Sequence, residues 1–174
     1  MALSDPAFVY PDLDTSSVEY APDFSTAGVR SWLRTDRMRD VLDFWNDVRG
    51  FRRCPDLDDI DFATVPLLAN WMLLIERPAT GGNGRFLKVG AKIIELADLD
   101  ITGQPITALP DPDYRRMFQE NCEAVTRAAM PLASRYRRML RGGVYEFERL
   151  DLPLTLGSGR VGGVLVGMCA TAKG

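Results

Sequence analysis

No histidine occurs anywhere in the chain. That absence removes His-ligated haem, Ser-His-Asp and Cys-His catalysis, and most zinc sites. Cysteine is scarce as well. Cys54, Cys122 and Cys169 are odd in number and far apart, so neither a disulfide framework nor a CxxC metal knuckle can be read from them. They read as reduced, packed thiols in a reducing compartment. Long apolar runs are missing: the longest uncharged stretches, Val65–Ile75 and Val161–Ala172, fall short of the ~20 residues a membrane span needs. No basic region followed by an apolar block opens the chain, so a cytoplasmic location is expected. Excess positive charge is also absent. The net charge of -3 and pI near 5.0 give no electrostatic pull toward nucleic acid or anionic lipid, and neither is expected as a partner.

Lys and Arg are absent from residues 1–24, which carry five acidic residues together with Pro6, Pro11 and Pro22. This stretch is expected to be an acidic flexible arm, although Phe8, Val9, Tyr10 and Tyr20 offer docking side chains.

What is present is a globule. Apolar residues make up 46% of 174, enough for one domain with a sizeable core. From Val29 to Val48 apolar residues recur at helical spacing among Arg, Asp and Asn, ending at Gly50. Residues 25–50 therefore form an amphipathic helical segment, in one or two helices, with Asp36 expected to cap the second. Asp61 reads as a further cap. Strands are expected over Trp71–Glu76 and Arg85–Ala91, joined by the Pro- and Gly-rich loop Pro78–Gly84. A short helix follows over Lys92–Ala97 and a long one over Asp111–Ala129. Strands over Leu132–Leu140, Val144–Leu154 and Val161–Thr171 close the chain through tight glycine turns. The plan is α+β: a five-stranded antiparallel sheet in residues 51–174 with helices on one face.

The last two strands say more. Leu150, Leu152 and Leu154 alternate with Arg149, Asp151 and Pro153, so one buried and one exposed face are expected. In the final strand Val161, Leu165 and Cys169 point one way, while Val164, Val166 and Met168 point the other. Both faces are apolar, so this strand is expected to be central and covered twice. The helix of Val41, Leu42 and Trp45 is the candidate cover, from its own chain or from a second copy. These three residues, with Val164, Val166 and Met168, are accordingly candidate dimer or partner contacts.

Two strands, a helical middle and a three-strand meander whose last strand is central make the layout of the PAS fold. Particular residues sharpen the likeness: Trp45 with Arg49-Gly50, Pro55, Ile60-Asp61, Pro66-Leu67-Leu68, the strand pair through Phe86 to Gly90, Asp100-Ile101-Thr102-Gly103, Pro131, and Glu148-Arg149-Leu150-Asp151-Leu152-Pro153-Leu154. Over roughly residues 38–168 the chain resembles a family of bacterial, largely alphaproteobacterial, single-PAS proteins of mostly unassigned role. It departs from the family pattern at Ala91, where a small hydroxyl residue is common, and at Leu99, where glycine is common. The resemblance implies a signalling domain, one that senses a small molecule or docks a protein partner, with a homodimer expected. It names no ligand or cofactor.

Within such a fold Tyr114, Met117, Phe118, Asn121, Tyr136 and Phe147 are candidates to line a ligand space between helix and sheet. Arg137, from the cluster Arg135, Arg137, Arg138 and Arg141, is the candidate anchor for a carboxylate or phosphate. An ordinary filled core is the alternative. Asn121-Cys122 partly matches the photoactive cysteine loop of flavin-binding PAS relatives. Glu123-Ala124-Val125 replaces the Arg-Phe-Leu-Gln continuation, so a flavin adduct is not expected. Gly81-Gly82-Asn83-Gly84 opens no helix and reads as a turn. The carboxylates Asp56, Asp58, Asp59 and Asp61 lack calcium-loop spacing, and no metal site is expected. Arg30 and Arg34 read as a solvated helix face. No catalytic residues stand out, so the chain is expected not to be an enzyme. A small carboxylate-, Tyr- or Cys-based enzyme and a ligand-free scaffolding dimer are the alternatives.

Overall fold

The fold is described from a computed structural model, over residues 12–78 and 84–173. A single antiparallel sheet runs through the molecule. Its strands are β1 (Leu13–Tyr20), β2 (Met72–Glu76), β3 (Arg85–Val89), β4 (Leu132–Leu140), β5 (Gly143–Thr155) and β6 (Val161–Lys173), in the spatial order β1-β4-β5-β6-β2-β3. The sheet thus has six strands where five are expected. The extra one is β1, which lies inside the stretch read as a flexible arm. Its sequence is polar because it is an edge strand. It pairs with β4 at both ends, Leu13 opposite Arg138 and Tyr20 opposite Ser134, around an irregularity in register. Phe8, Val9, Tyr10 and the loop residues Gly81, Gly82 and Asn83 lie outside the described residues.

β6 is central, held between β5 and β2, as its two apolar faces require. One face looks toward α4 (Ala91–Ala97) and α5 (Pro112–Ala128), and Val164, Val166 and Met168 pack there with Phe118 and Phe86. The other face looks toward α1 (Thr26–Trp32) and α2 (Asp36–Arg49), and Leu165 and Cys169 pack there with Met38, Leu42 and Trp45. Each face is therefore an interior, covered by helices of the same chain. The six candidate dimer contacts, Val41, Leu42, Trp45, Val164, Val166 and Met168, are all buried within one chain, at 4% exposure or less. They cannot also form an intermolecular surface in this fold.

Local chemistry sets the helix positions. The N-cap of α2 is Thr35, whose hydroxyl accepts from the amide of Met38. Asp36, expected to cap, stands one residue inside the helix instead. Asp111, expected as the first residue of the long helix, is the N-cap of α5, and Pro112 fills the first helical position. The Asp111 carboxylate also accepts the amide of Leu13 at 3.0 Å, so one side chain starts α5 and pins β1. Asp61 and Asp56 cap short 3-10 turns, and Asp59 pairs with Arg52. A short α3 (Pro66–Ala69) leads into β2. Among the described residues no helix is long and apolar enough to cross a membrane.

The contact of α2 with the sheet is close at Gly167. A Cβ there would lie 3.0 Å from Cγ1 of Val41 and 3.2 Å from Sδ of Met38. Higher up the helix, the Trp45 indole N–H donates to the carbonyl of Pro153 at 2.9 Å. Gly167→Val is expected to lift α2 off β6 and cost about 1–3 kcal/mol. Gly157→Val, where a Cβ meets nothing within 4 Å, is expected to change stability by less than about 0.5 kcal/mol. Urea denaturation midpoints of the two variants check the difference.

Candidate functional site

A small cavity opens between the sheet and the helices of the α4–α5 side. Leu73, Val89, Ile93, Leu96, Phe118 and Met168 make most of its wall, and Tyr114, Arg138 and Asp12 bring polar atoms to it. Its volume is about 80 Å³. That is well below the ~300 Å³ where drug-sized pockets begin and more than one water requires. No residue of α4 is fully buried, so this helix forms an outer wall of the cavity.

A continuous aromatic row runs beside the cavity. Phe86 meets Phe118 edge-on at 5.4 Å, Phe118 meets Tyr114 at 5.9 Å, Tyr114 lies 6.0 Å from Tyr136, and Tyr136 stacks on Phe147 at 5.7 Å. Both edge-on and offset contacts are favourable for aromatic quadrupoles.

Behind this row lies a buried ion pair. Arg149 and Asp151 are two residues apart on β5, so both side chains leave the same face of the strand. Their contact is bidentate, Nε to Oδ2 at 2.9 Å and Nη2 to Oδ1 at 2.7 Å, and both residues are 0% exposed. The expected exposed face of β5 is therefore an interior: the charges neutralise one another instead of meeting water. The Phe118 ring lies 3.8 Å from the guanidinium carbon. Asn121 and the Tyr114 hydroxyl approach the pair at 3.5 Å, and the Tyr20 hydroxyl donates to Oδ1 of Asn121 at 2.9 Å. Burial alone would depress the Arg149 pKa. Asp151 beside it outweighs burial and holds it well above its ordinary value.

On the opposite face of the same strand sits Glu148, also fully buried. Its carboxylate accepts from the amides of Arg34 and Thr35 at 2.8 and 2.9 Å, from the Thr35 hydroxyl at 2.7 Å, and from Arg135 at 3.2 Å. Arg135 in turn donates to the carbonyl of Trp32 and stacks over its ring at 3.6 Å. The link between α1 and α2 is thus clamped to the sheet by one carboxylate.

Of the seven expected ligand residues, Tyr114, Phe118 and Phe147 line the cavity. Asn121 belongs to the polar network, and Tyr136 stacks behind the wall. Met117 is buried but faces the β1 side, beside Leu13 and Tyr20. Arg137 does not take part: it points outward and pairs with Asp14 at 3.0 Å. Strand alternation puts Tyr136 and Arg137 on opposite faces, and the arginine that reaches the cavity is Arg138. That alternation is the signal which identifies Arg138 in the sequence. Asp12 carried no such signal, because it stands one residue ahead of an edge strand hidden in a polar stretch.

The three cysteines are all buried. Cys122 packs in the core of α5, where burial pushes its thiol up to about 12. Burial also raises Cys54 and Cys169. Arg30 pairs with Asp43, while Arg34 offers its backbone amide to Glu148, so the two do not form a joint grip.

A family model described as "PAS domain" matches residues 33–166. The chain belongs to the PAS domain family. Solved structures agree on the fold. VqmA bound to DPO superposes with a TM-score of 0.51 at 14% identity, over 64% of this chain and 58% of that one. The Vibrio cholera VqmA–ligand–DNA complex gives 0.50 at 14% identity, over 64% and 51%. An RNA-binding Light-Oxygen-Voltage receptor superposes less closely, with a TM-score of 0.43 at 13% identity over 62% and 32%, and adds nothing to the fold assignment. This PAS chain therefore spans about a third of the receptor and just over half of VqmA. No curated protein matches it in sequence.

Asp151→Asn leaves Arg149 buried without its counter-charge and is expected to cost about 3–5 kcal/mol, whereas Arg149→Met with Asp151→Leu recovers most of that loss. Guanidinium unfolding of the two variants distinguishes them. For the thiols the sign is simple: with raised pKa values they stay protonated at pH 8. A disulfide reagent is expected to label none of the three in the folded protein and all three after unfolding.

Proposed function

We propose that the chain is a sensory and regulatory PAS module in which the state of the internal cavity is relayed through β5 to the helical cap of α1 and α2. One observation carries the reading. On adjacent residues of β5, Arg149 belongs to the polar network behind the cavity, and Glu148 grips the α1–α2 link from the other face. A shift of β5 in register or twist therefore acts on both interiors at once. A ligand that favours one cavity arrangement would bias the cap, in proportion to its differential affinity for the two states.

In this reading the output passes by protein contact, to a partner or to a second copy. Because Val41, Leu42 and Trp45 are consumed inside the chain, such contact uses the outer surface of the cap. The module works in the cytoplasm. The net charge of -3 favours a protein partner over nucleic acid, although the VqmA complex above contains DNA. Catalysis plays no part: the buried acid and base of β5 neutralise each other, and the thiols are held protonated.

Glu148→Gln tests the relay. It keeps the shape and weakens the charge-assisted bonds to Arg34, Thr35 and Arg135. Hydrogen exchange of α1 and α2 amides is expected to quicken about ten-fold or more, while β2 and β6 keep their protection. Equal loss of protection throughout the sheet would count against a separable cap.

A further inference from the structure

A second, polar groove opens on the α1–α2 side of the sheet, where β1 meets β4. Its volume is about 360 Å³, within the range of small-molecule sites, and the apolar cavity lies on the other face. The edge strand makes room for it. Pairing of β1 with β4 is irregular between Asp14 and Glu19, and the amide of Arg137 there donates to the Ser17 hydroxyl at 2.8 Å. Ser16, Ser17, Glu19, Arg34, Arg135 and Glu146 bring polar atoms to the groove.

Its charges are positioned but not all joined. Arg135 is held in place: Nε donates to Glu148, Nη2 donates to the carbonyl of Trp32, and the guanidinium stacks on the Trp32 ring. The side chain keeps 15% exposure. Its Nη1 has no partner among the described residues, yet it is not sealed from solvent. Glu19 stands directly opposite Arg135 across the strand pair. The two form no ion pair, because Glu148 holds the guanidinium from β5. Arg34, on the α1–α2 link, and Glu146, opposite Arg137, also make no side-chain ion pair among the described residues. Arg137 is taken by Asp14. An anion alone in this groove would meet Glu19 and Glu146, and a cation alone would meet Arg34 and Arg135. A molecule that carries both charges satisfies both sets.

We propose that this groove binds a small zwitterion of the α-amino acid class. Its carboxylate accepts from Nη1 of Arg135 and from the guanidinium of Arg34, and its ammonium donates to Glu19. The two charges of such a molecule flank one carbon, a spacing suited to two residues that face each other about 5 Å apart across a strand pair. Because Glu148 and Trp32 already orient Arg135, little freedom is lost when a carboxylate binds it. The site goes beyond the relay reading above and does not depend on it.

The test is a titration of the full chain, followed by amide NMR shifts, with three probes: glutamine, 4-carbamoylbutanoate, which lacks the ammonium, and 4-aminobutanamide, which lacks the carboxylate. Saturable shifts at Ser17, Glu19 and Arg34 are expected for glutamine, with Ile93 and Leu96 of the inner cavity unmoved. Its affinity is expected to exceed that of either analogue about ten-fold, the worth of one charge-assisted contact. Glu19→Gln is expected to bring glutamine and 4-carbamoylbutanoate within about two-fold of each other. Arg34→Gln is expected to weaken both about ten-fold and leave 4-aminobutanamide unchanged. Both positions are exposed, so the variants keep the fold, which unchanged amide shifts in β2 and β6 verify. An analogue that binds as tightly as glutamine overturns the zwitterion assignment. Glutamine affinity unchanged in both variants, shifts confined to the inner cavity, or no binding by any probe overturns the site. None of these outcomes bears on the relay, which Glu148→Gln tests separately.

Discussion

Both faces of β6 must be kept from water, and the architecture is arranged around that need. A strand with Val164, Val166 and Met168 on one side and Leu165 and Cys169 on the other cannot lie at an edge or face solvent. The chain meets the constraint by placing α4 and α5 over one face and α1 and α2 over the other. It brings α2 so close that a side chain at Gly167 would press on Val41 and Met38. The hydrophobic driving force for this is non-directional. What fixes the helices in place is directional: Trp45 on the carbonyl of Pro153, Thr35 on Glu148, and Asp111 on both α5 and β1.

Charge inside the sheet follows a different rule from charge on its surface. Arg149, Asp151 and Glu148 are fully buried, and each has a hydrogen-bonding partner in the fold. Such pairs add little net stability over apolar side chains of the same size, yet losing one member is expensive. Their contribution is to specify. The Arg149–Asp151 fork accepts one arrangement of β5 against α5, and Glu148 accepts one position of the α1–α2 link. Aligned through adjacent residues, the two conditions restrict the strand from both sides.

Much of this was legible in the sequence, and the misses have physical reasons. The two-faced pattern of residues 161–171 placed β6 at the centre, and Asp111-Pro112 located the start of α5. Period-two alternation misled at β5, where Arg149 and Asp151 look like a solvated face. Hydropathy scores each residue alone and cannot register that two opposite charges at i and i+2 cancel. The same alternation at β4 separates Tyr136 and Arg138 from Arg137. β1 was hidden because an edge strand with Asp14, Ser16, Ser17 and Glu19 has the composition of a loop. Its strand character comes from pairing with β4, which is not a local property.

The position of β1 also bears on where the folding unit begins. The family match starts at residue 33, inside the helical cap, and leaves out both β1 and α1. Yet β1 brings Asp12 to the cavity wall, Leu13 to the cap of α5 and Tyr20 to Asn121. A protein trimmed to the matched segment would uncover the β4 edge, strip the counter-charge from Arg138 and open the polar network to water. The family signature marks the portion of the chain shared across relatives, while the cooperative unit of this protein extends at least twenty residues ahead of it.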